Sequence, residues 1–170
     1  GTGGTQGYDA FIQVLTRMMV HQMGLSLENI LLAHELTHVI QDQHFDLMSL
    51  PFEDLAQEDQ SIAVRALIEG DAMLVMLDYV LQQQQPGIDA TMVPGVAGNM
   101  RAWSNSPLVQ GFAMFQTFPR YLMDNLLFPY LDGFEFVLRL KKHGGWTAVN
   151  QAYQDIPVST EQILHPEKYF

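Results

Sequence analysis

The sequence predicts a mainly α domain with a small β element near its N-terminus, and three observations carry that expectation. Apolar residues recur at three- and four-residue intervals through several long stretches, the pattern of helices with one buried face. Breakers and capping residues punctuate those stretches, among them Gly24 with Ser26, Pro51, the glycines and prolines of Pro86–Asn99, and Gly144-Gly145. Only Phe11-Ile12-Gln13-Val14-Leu15 crowds β-branched and aromatic residues as a short strand does.

Gly1 to Gly7 reads as a flexible leader or expression remnant, and residues 8–170 as one domain. From Tyr8 to Met23, the positions Phe11, Leu15, Met18, Met19, Val20 and Met23 suit an amphipathic helix, into which the strand-like run intrudes. After Gly24, Ser26 is placed to cap a helix from Leu27 to about His44, with Glu28 in the first turn where the helix dipole favours an acid. Leu47 to Asp59, with Pro51 and several acids, reads as a connection. Gln60 to Gln85 is apolar on most sides and should run through the core, so its Glu69 and Asp71 require a reason to be there. Pro86 to Asn99 carries Pro94, Gly87, Gly95 and Gly98 and reads as a loop. Helical spacing returns over Ser106–Leu127 and Gly133–Lys142, the latter stopped by Gly144-Gly145, and a short helix is expected over Trp146–Tyr153. Ser159-Thr160-Glu161-Gln162 has the capping-box pattern of a final turn that Pro166 ends.

The 8 Lys and Arg stand against 19 Asp and Glu, a net charge of −11 that argues against a nucleic-acid or anionic-membrane partner. Six of the basic residues lie beyond position 100, leaving the first part of the chain strongly acidic. With no cysteine, disulfides and thiolate metal sites are excluded, and any bound metal must be held by His and carboxylate. No apolar run reaches the roughly 18 residues of a spanning helix. The chain as given is expected to be soluble. Its compartment and oligomeric state are not set by the sequence, and an upstream signal or anchor could have been removed.

His34-Glu35-Leu36-Thr37-His38 is the densest chemical signal. On a helix, residues four apart share a face with Cβ atoms roughly 5–6 Å apart, so His34 and His38 can address one cation. Glu35, rotated by about 100°, stands beside that cation as a proton carrier for an activated water. One zinc ion is the cofactor this chemistry suggests, against the bland reading of a helix carrying two histidines.

A catalytic zinc takes three protein ligands, so one is missing from the pentapeptide. Extending it to His34-Glu35-x-x-His38-x-x-Gln41-x-x-His44 matches the metzincin pattern except that Gln41 replaces the glycine that lets the chain leave the helix. With Gln41 the helix continues and carries His44 about 9 Å beyond His38, favouring a helix-terminal histidine over a ligand. The other candidate is Glu69 in Ala66-Leu67-Ile68-Glu69-Gly70-Asp71-Ala72, a carboxylate in an apolar helix that needs a partner, whether a metal or Arg65 one turn earlier.

The pentapeptide followed by Val39-Ile40-Gln41-Asp42-Gln43-His44-Phe45-Asp46-Leu47 and later by Glu69-Gly70-Asp71-Ala72 resembles the gluzincin-type zinc metallopeptidases, and more closely a group of poorly characterised bacterial predicted metallopeptidases. The resemblance covers roughly positions 27 to 81, and more loosely Phe128–Gly133 and His165–Tyr169. It implies an α+β zincin-like fold with an active-site helix and a glutamate helix, the ligands His34, His38 and Glu69, and Glu35 as general base. Thermolysin-like gluzincins carry an Asp four residues after the ligand Glu, where this chain has Met73. Asp42 or Asp71 is therefore expected to orient a ligand histidine.

Peptide-bond hydrolysis is the expected reaction, with a peptide or protein as substrate. Tyr130 and His165 are the candidates to stabilise the oxyanion, each with an ordinary reading as a core aromatic or a helix cap. His21 and His143 read as surface or terminal residues. The alternative function is a non-catalytic or regulatory zinc-binding module of the same fold.

Overall fold

The computed structural model describes residues 26–52, 55–105 and 119–170, and among these every regular element is helical. The small β element, the helix over 8–23 and most of that over 106–127 were expected on residues outside the described ones.

Helix α1 spans Leu27–Phe45, and Ser26 caps it by accepting the Asn29 N–H (3.4 Å). It runs unbroken through Gln41 and ends at Asp46, whose φ of 49° turns the chain into the left-handed region. Two short 3-10 turns, Leu47–Ser49 and Leu55–Gln57, lead into helix α2, Glu58–Gln84. Its Ala63, Val64, Leu67 and Leu74 are fully buried, as a helix apolar on most sides requires. Helix α3, Val96–Ser104, begins inside the segment expected to be a loop: Gly95 supplies the left-handed residue (φ 67°) from which the helix starts, so that glycine opens a helix instead of ending one.

Helix α4, Arg120–Ala152, joins what the sequence reads as three pieces. Pro129 lies within it, buried, without ending it. The expected stop at Gly144-Gly145 is present: both glycines are non-helical, and two helical segments meet there at a kink, the second running to Ala152 as the expected short helix. The short helix α5, Thr160–Leu164, follows. Here the capping box is not formed: Gln162 Oε1 accepts the N–H of Val158, one residue before the cap (2.8 Å), and Ser159 makes no side-chain cap. Asp59 at the start of α2 takes that place, accepting from the Thr160 hydroxyl at 2.5 Å.

Helices α2 and α4 form the central pair and cross where glycine meets glycine. A Cβ on Gly70 would lie 2.2 Å from the backbone of Gly133, and one on Gly133 would lie 2.1 Å from the Ala66 carbonyl oxygen. Only two residues without side chains permit that approach. Phe134, Phe136, Val137 and Leu140 fill the space beside the crossing. Helix α1 packs on α2 through Ile30, His34, Thr37 and Gln41, a stripe at intervals of four, three and four residues. Three of those four are polar. Leu32, Leu36, Val39 and Ile40, by contrast, remain about half exposed. On this helix polar side chains share the inward face with Ile30 while several apolar ones stay at the surface.

Candidate metal centre

His34 and His38 stand one turn apart on α1, and Glu69 faces them from α2. The two Nε2 atoms are 3.1 Å apart. Glu69 Oε2 lies 3.3 Å from His34 Nε2 and 3.5 Å from His38 Nε2. One ligand atom from each residue falls within 4.8 Å of the others, and this is the arrangement of a group that could hold a metal ion. His34 is buried (3 % exposed), while His38 and Glu69 retain partial exposure at 25 % and 19 %, so the group opens on their side.

Among the described residues, two buried side-chain polar atoms have no hydrogen-bond partner, His34 Nδ1 and Glu69 Oε2. Buried polar atoms are almost always satisfied, and an orphaned carboxylate oxygen between two imidazoles is what a cation between them would satisfy. Burial alone would push the Glu69 carboxyl up, but the close approach and positive charge of His34 and His38 outweigh it and bring it down to about 2. Burial likewise would lower His38, yet the polar contact and charge of Glu69, with help from Gln41 and Glu35, raise it above the usual histidine value. Both directions describe one property: the pocket favours positive charge between these three side chains.

A chain of buried hydrogen bonds stands behind His38. Its Nδ1 meets Gln41 Oε1 at 2.8 Å. Gln41 Nε2 donates to the Ile68 carbonyl (3.0 Å) and to Asp71 Oδ2 (2.8 Å), and Tyr153 O–H donates to the same oxygen (2.8 Å). Burial raises the Asp71 carboxyl against the lowering effect of Gln41 and Tyr153. Burial and then the Asp71 charge push the Tyr153 phenol well above its ordinary value, so Tyr153 remains a donor. Its ring stacks on Phe45 at 4.1 Å, 3° from parallel.

Asp71 thus reaches a histidine of the cluster through Gln41. Asp42 does not take part in that chain; its Oδ1 accepts the Leu47 N–H (3.2 Å) beyond α1. His44 is exposed, its Nδ1 donating to the Ile40 carbonyl (2.9 Å), as a helix-terminal residue. Arg65 donates to the Phe52 carbonyl (3.0 Å). Tyr130 is buried beside His34, ring centroids 6.5 Å apart and 28° from parallel. His165 is half exposed, pairs with Glu167 (3.5 Å), and lines a separate cavity of about 490 Å³ with Arg101, Asp132, Glu135 and Arg139. His143 stacks on Phe170, and His21 lies outside the described residues. Sequence reasoning missed Gln41 and Tyr153. Gln41 had a signal, its place three residues after His38 on the same face; Tyr153, 82 residues from Asp71, had none.

No protein-family model, curated protein or solved structure matches this chain.

Proposed function

We propose that the chain is a gluzincin-like zinc metallopeptidase in which His34, His38 and Glu69 hold one zinc ion and Glu35 is the general base. The observation that carries this reading is the spacing of the three donor atoms, 3.1, 3.3 and 3.5 Å. Around a tetrahedral zinc with bonds of about 2.0–2.1 Å, neighbouring donors stand about 3.3 Å apart. Two imidazoles and a carboxylate are also the donor set of known catalytic zinc sites, which leave a fourth position for solvent. When bound, the ion would act as a Lewis acid, activating a water for attack and polarising the scissile carbonyl.

The residues of the chain supply the proton handling. Glu35 is exposed, follows His34 on α1, and its charge acts on His38, which keeps its carboxylate in reach of both solvent and the group. There it accepts the proton of the attacking water and returns it to the leaving amine. Tyr130, its ring 6.5 Å from that of His34, is the residue assigned to the developing oxyanion; His165, in its separate cavity, is not used.

The test pairs elemental analysis with turnover. Untagged protein should carry one zinc per chain and hydrolyse an unfolded protein substrate, and a chelator should abolish hydrolysis. Glu35→Gln should keep the zinc and lose roughly 10²–10⁴-fold in rate. Unchanged cleavage by that variant would sink the assignment of the base. Stoichiometric zinc in a wild type with no hydrolysis would identify the regulatory module instead.

A further inference from the structure

We propose that Gln41 is a positioning residue that fixes the tautomer of His38, with Asp71 and Tyr153 holding Gln41 in place. The amide of Gln41 has only one orientation open to it. Its nitrogen faces the Ile68 carbonyl, which can only accept, and Asp71 Oδ2. Reversing the amide would set its oxygen against that carbonyl and leave an N–H aimed at His38. Tyr153 donates to the same Asp71 oxygen, so the acceptor at the far end is itself held. Gln41 Oε1 therefore points at His38 Nδ1 at 2.8 Å, and an amide oxygen can take part in that bond only as acceptor.

The proton of neutral His38 is consequently on Nδ1. That leaves the lone pair on Nε2, the atom 3.1 Å from His34 Nε2 and 3.5 Å from Glu69 Oε2. Gln41 is 2 % exposed and Asp71 6 %, so water does not compete for these bonds. His34 differs, since its Nδ1 is buried without a partner. The two histidines are thus unequal: His38 is preset as a ligand by a chain running from α1 through α2 to the end of α4, and His34 is not. This relay occupies the place for which the sequence offers only Met73.

The proposal rests on the reading of His34, His38 and Glu69 as cation ligands, and its test separates the two. Long-range proton–nitrogen correlation spectra of the metal-free full chain, taken where His38 is neutral, report which ring nitrogen carries the proton. Zinc affinity is measured in parallel by competition with a chromophoric chelator. In wild type, His38 should be protonated at Nδ1 and bare at Nε2. In Gln41→Leu the proton should redistribute to Nε2, and zinc affinity should fall about 10–100-fold, the range for loss of an outer partner of a ligand histidine. A wild-type His38 protonated at Nε2 overturns the relay even if zinc binds stoichiometrically. So does a folded Gln41→Leu with unchanged tautomer and affinity. Wild type that binds no zinc overturns the ligand reading, and the metal-free spectrum still decides the tautomer. Should Gln41→Leu fail to fold, the wild-type spectrum remains decisive.

Discussion

Helix α2 carries two polar clusters within an apolar core, and they differ in whether they close. Toward its C-terminal end, Asp78 meets Lys141 at 2.6 Å, Asp89 meets the same ammonium at 3.2 Å, and that ammonium lies 4.6 Å from the centre of the Trp146 ring. Asp78 also accepts the Ala90 N–H (2.7 Å), and Asp89 the Thr91 N–H (2.8 Å). Opposite charges, backbone donors and an aromatic face leave that cluster saturated by the chain itself. The His34, His38 and Glu69 cluster, in contrast, combines one carboxylate with two imidazoles and retains two orphaned buried atoms. A cluster that stabilises the fold uses up its own valences. The His34, His38 and Glu69 group leaves two of them unspent, and that incomplete satisfaction, more than the burial of Glu69, is what suits it to a cation.

The largest effect expected from that contrast is at Glu69. Glu69→Ala should lower zinc affinity by more than the roughly 10–100-fold typical of an outer partner, with hydrolysis lost, while the melting temperature of metal-free protein stays within about 3 °C of wild type. Chelator competition and calorimetry check both halves, and a metal-free collapse in stability would show that Glu69 serves the fold instead. Lys141→Met should do the opposite. It leaves two carboxylates facing each other, for a loss of about 3–5 kcal/mol in denaturant unfolding at unchanged zinc stoichiometry. Gly133→Ala tests the crossing on which both clusters hang. The new methyl would meet the Ala66 carbonyl, and a destabilisation of about 1–3 kcal/mol is expected.

The smallest effect is a pH dependence. The Thr91 hydrogen bonds foremost, and then Lys141, hold the Asp89 carboxyl below its ordinary value. The folded chain therefore binds fewer protons than the unfolded chain between the two values. The resulting stability is complete above about pH 4 and disappears as pH falls through the lowered pKa. Asp89→Asn should flatten this acid limb by about 0.5 kcal/mol, and unfolding curves taken across pH 2–5 measure it.

How much of this could be read from residues alone depends on the distance over which each feature is encoded. His34, Glu35 and His38 lie within two turns of a single helix, so spacing placed them on neighbouring faces. Glu69 was exposed as an anomaly, a carboxylate in an apolar helix. The same local logic showed that Gln41 continues α1 and leaves His44 at its end. What it could not show was that Gln41 turns inward, because that depends on an Ile68 carbonyl and an Asp71 carboxylate on another helix. Tyr153 joins the chain only through the packing of α4. The stop at Gly144-Gly145 was legible, because two adjacent glycines break the helical pattern locally; the boundary at Gly95 failed because a left-handed glycine can open a helix as well as end one, and neighbouring packing decides which. The capping box failed for another reason, since Asp59, 101 residues earlier in sequence, holds the first turn of α5 through the N–H and hydroxyl of Thr160.

The glycine crossing has a mechanical meaning as well. Gly70 adjoins Glu69 in sequence, and Tyr130 lies one turn before Gly133, so the carboxylate and the aromatic wall beside His34 each sit next to the same point of backbone contact. Sliding α2 along α4 by one residue in either direction would bring a side chain into a gap too narrow for a methyl group. The crossing works as a locating pin: it indexes one helix against the other by main chain pressed on main chain, which yields less than any side chain can.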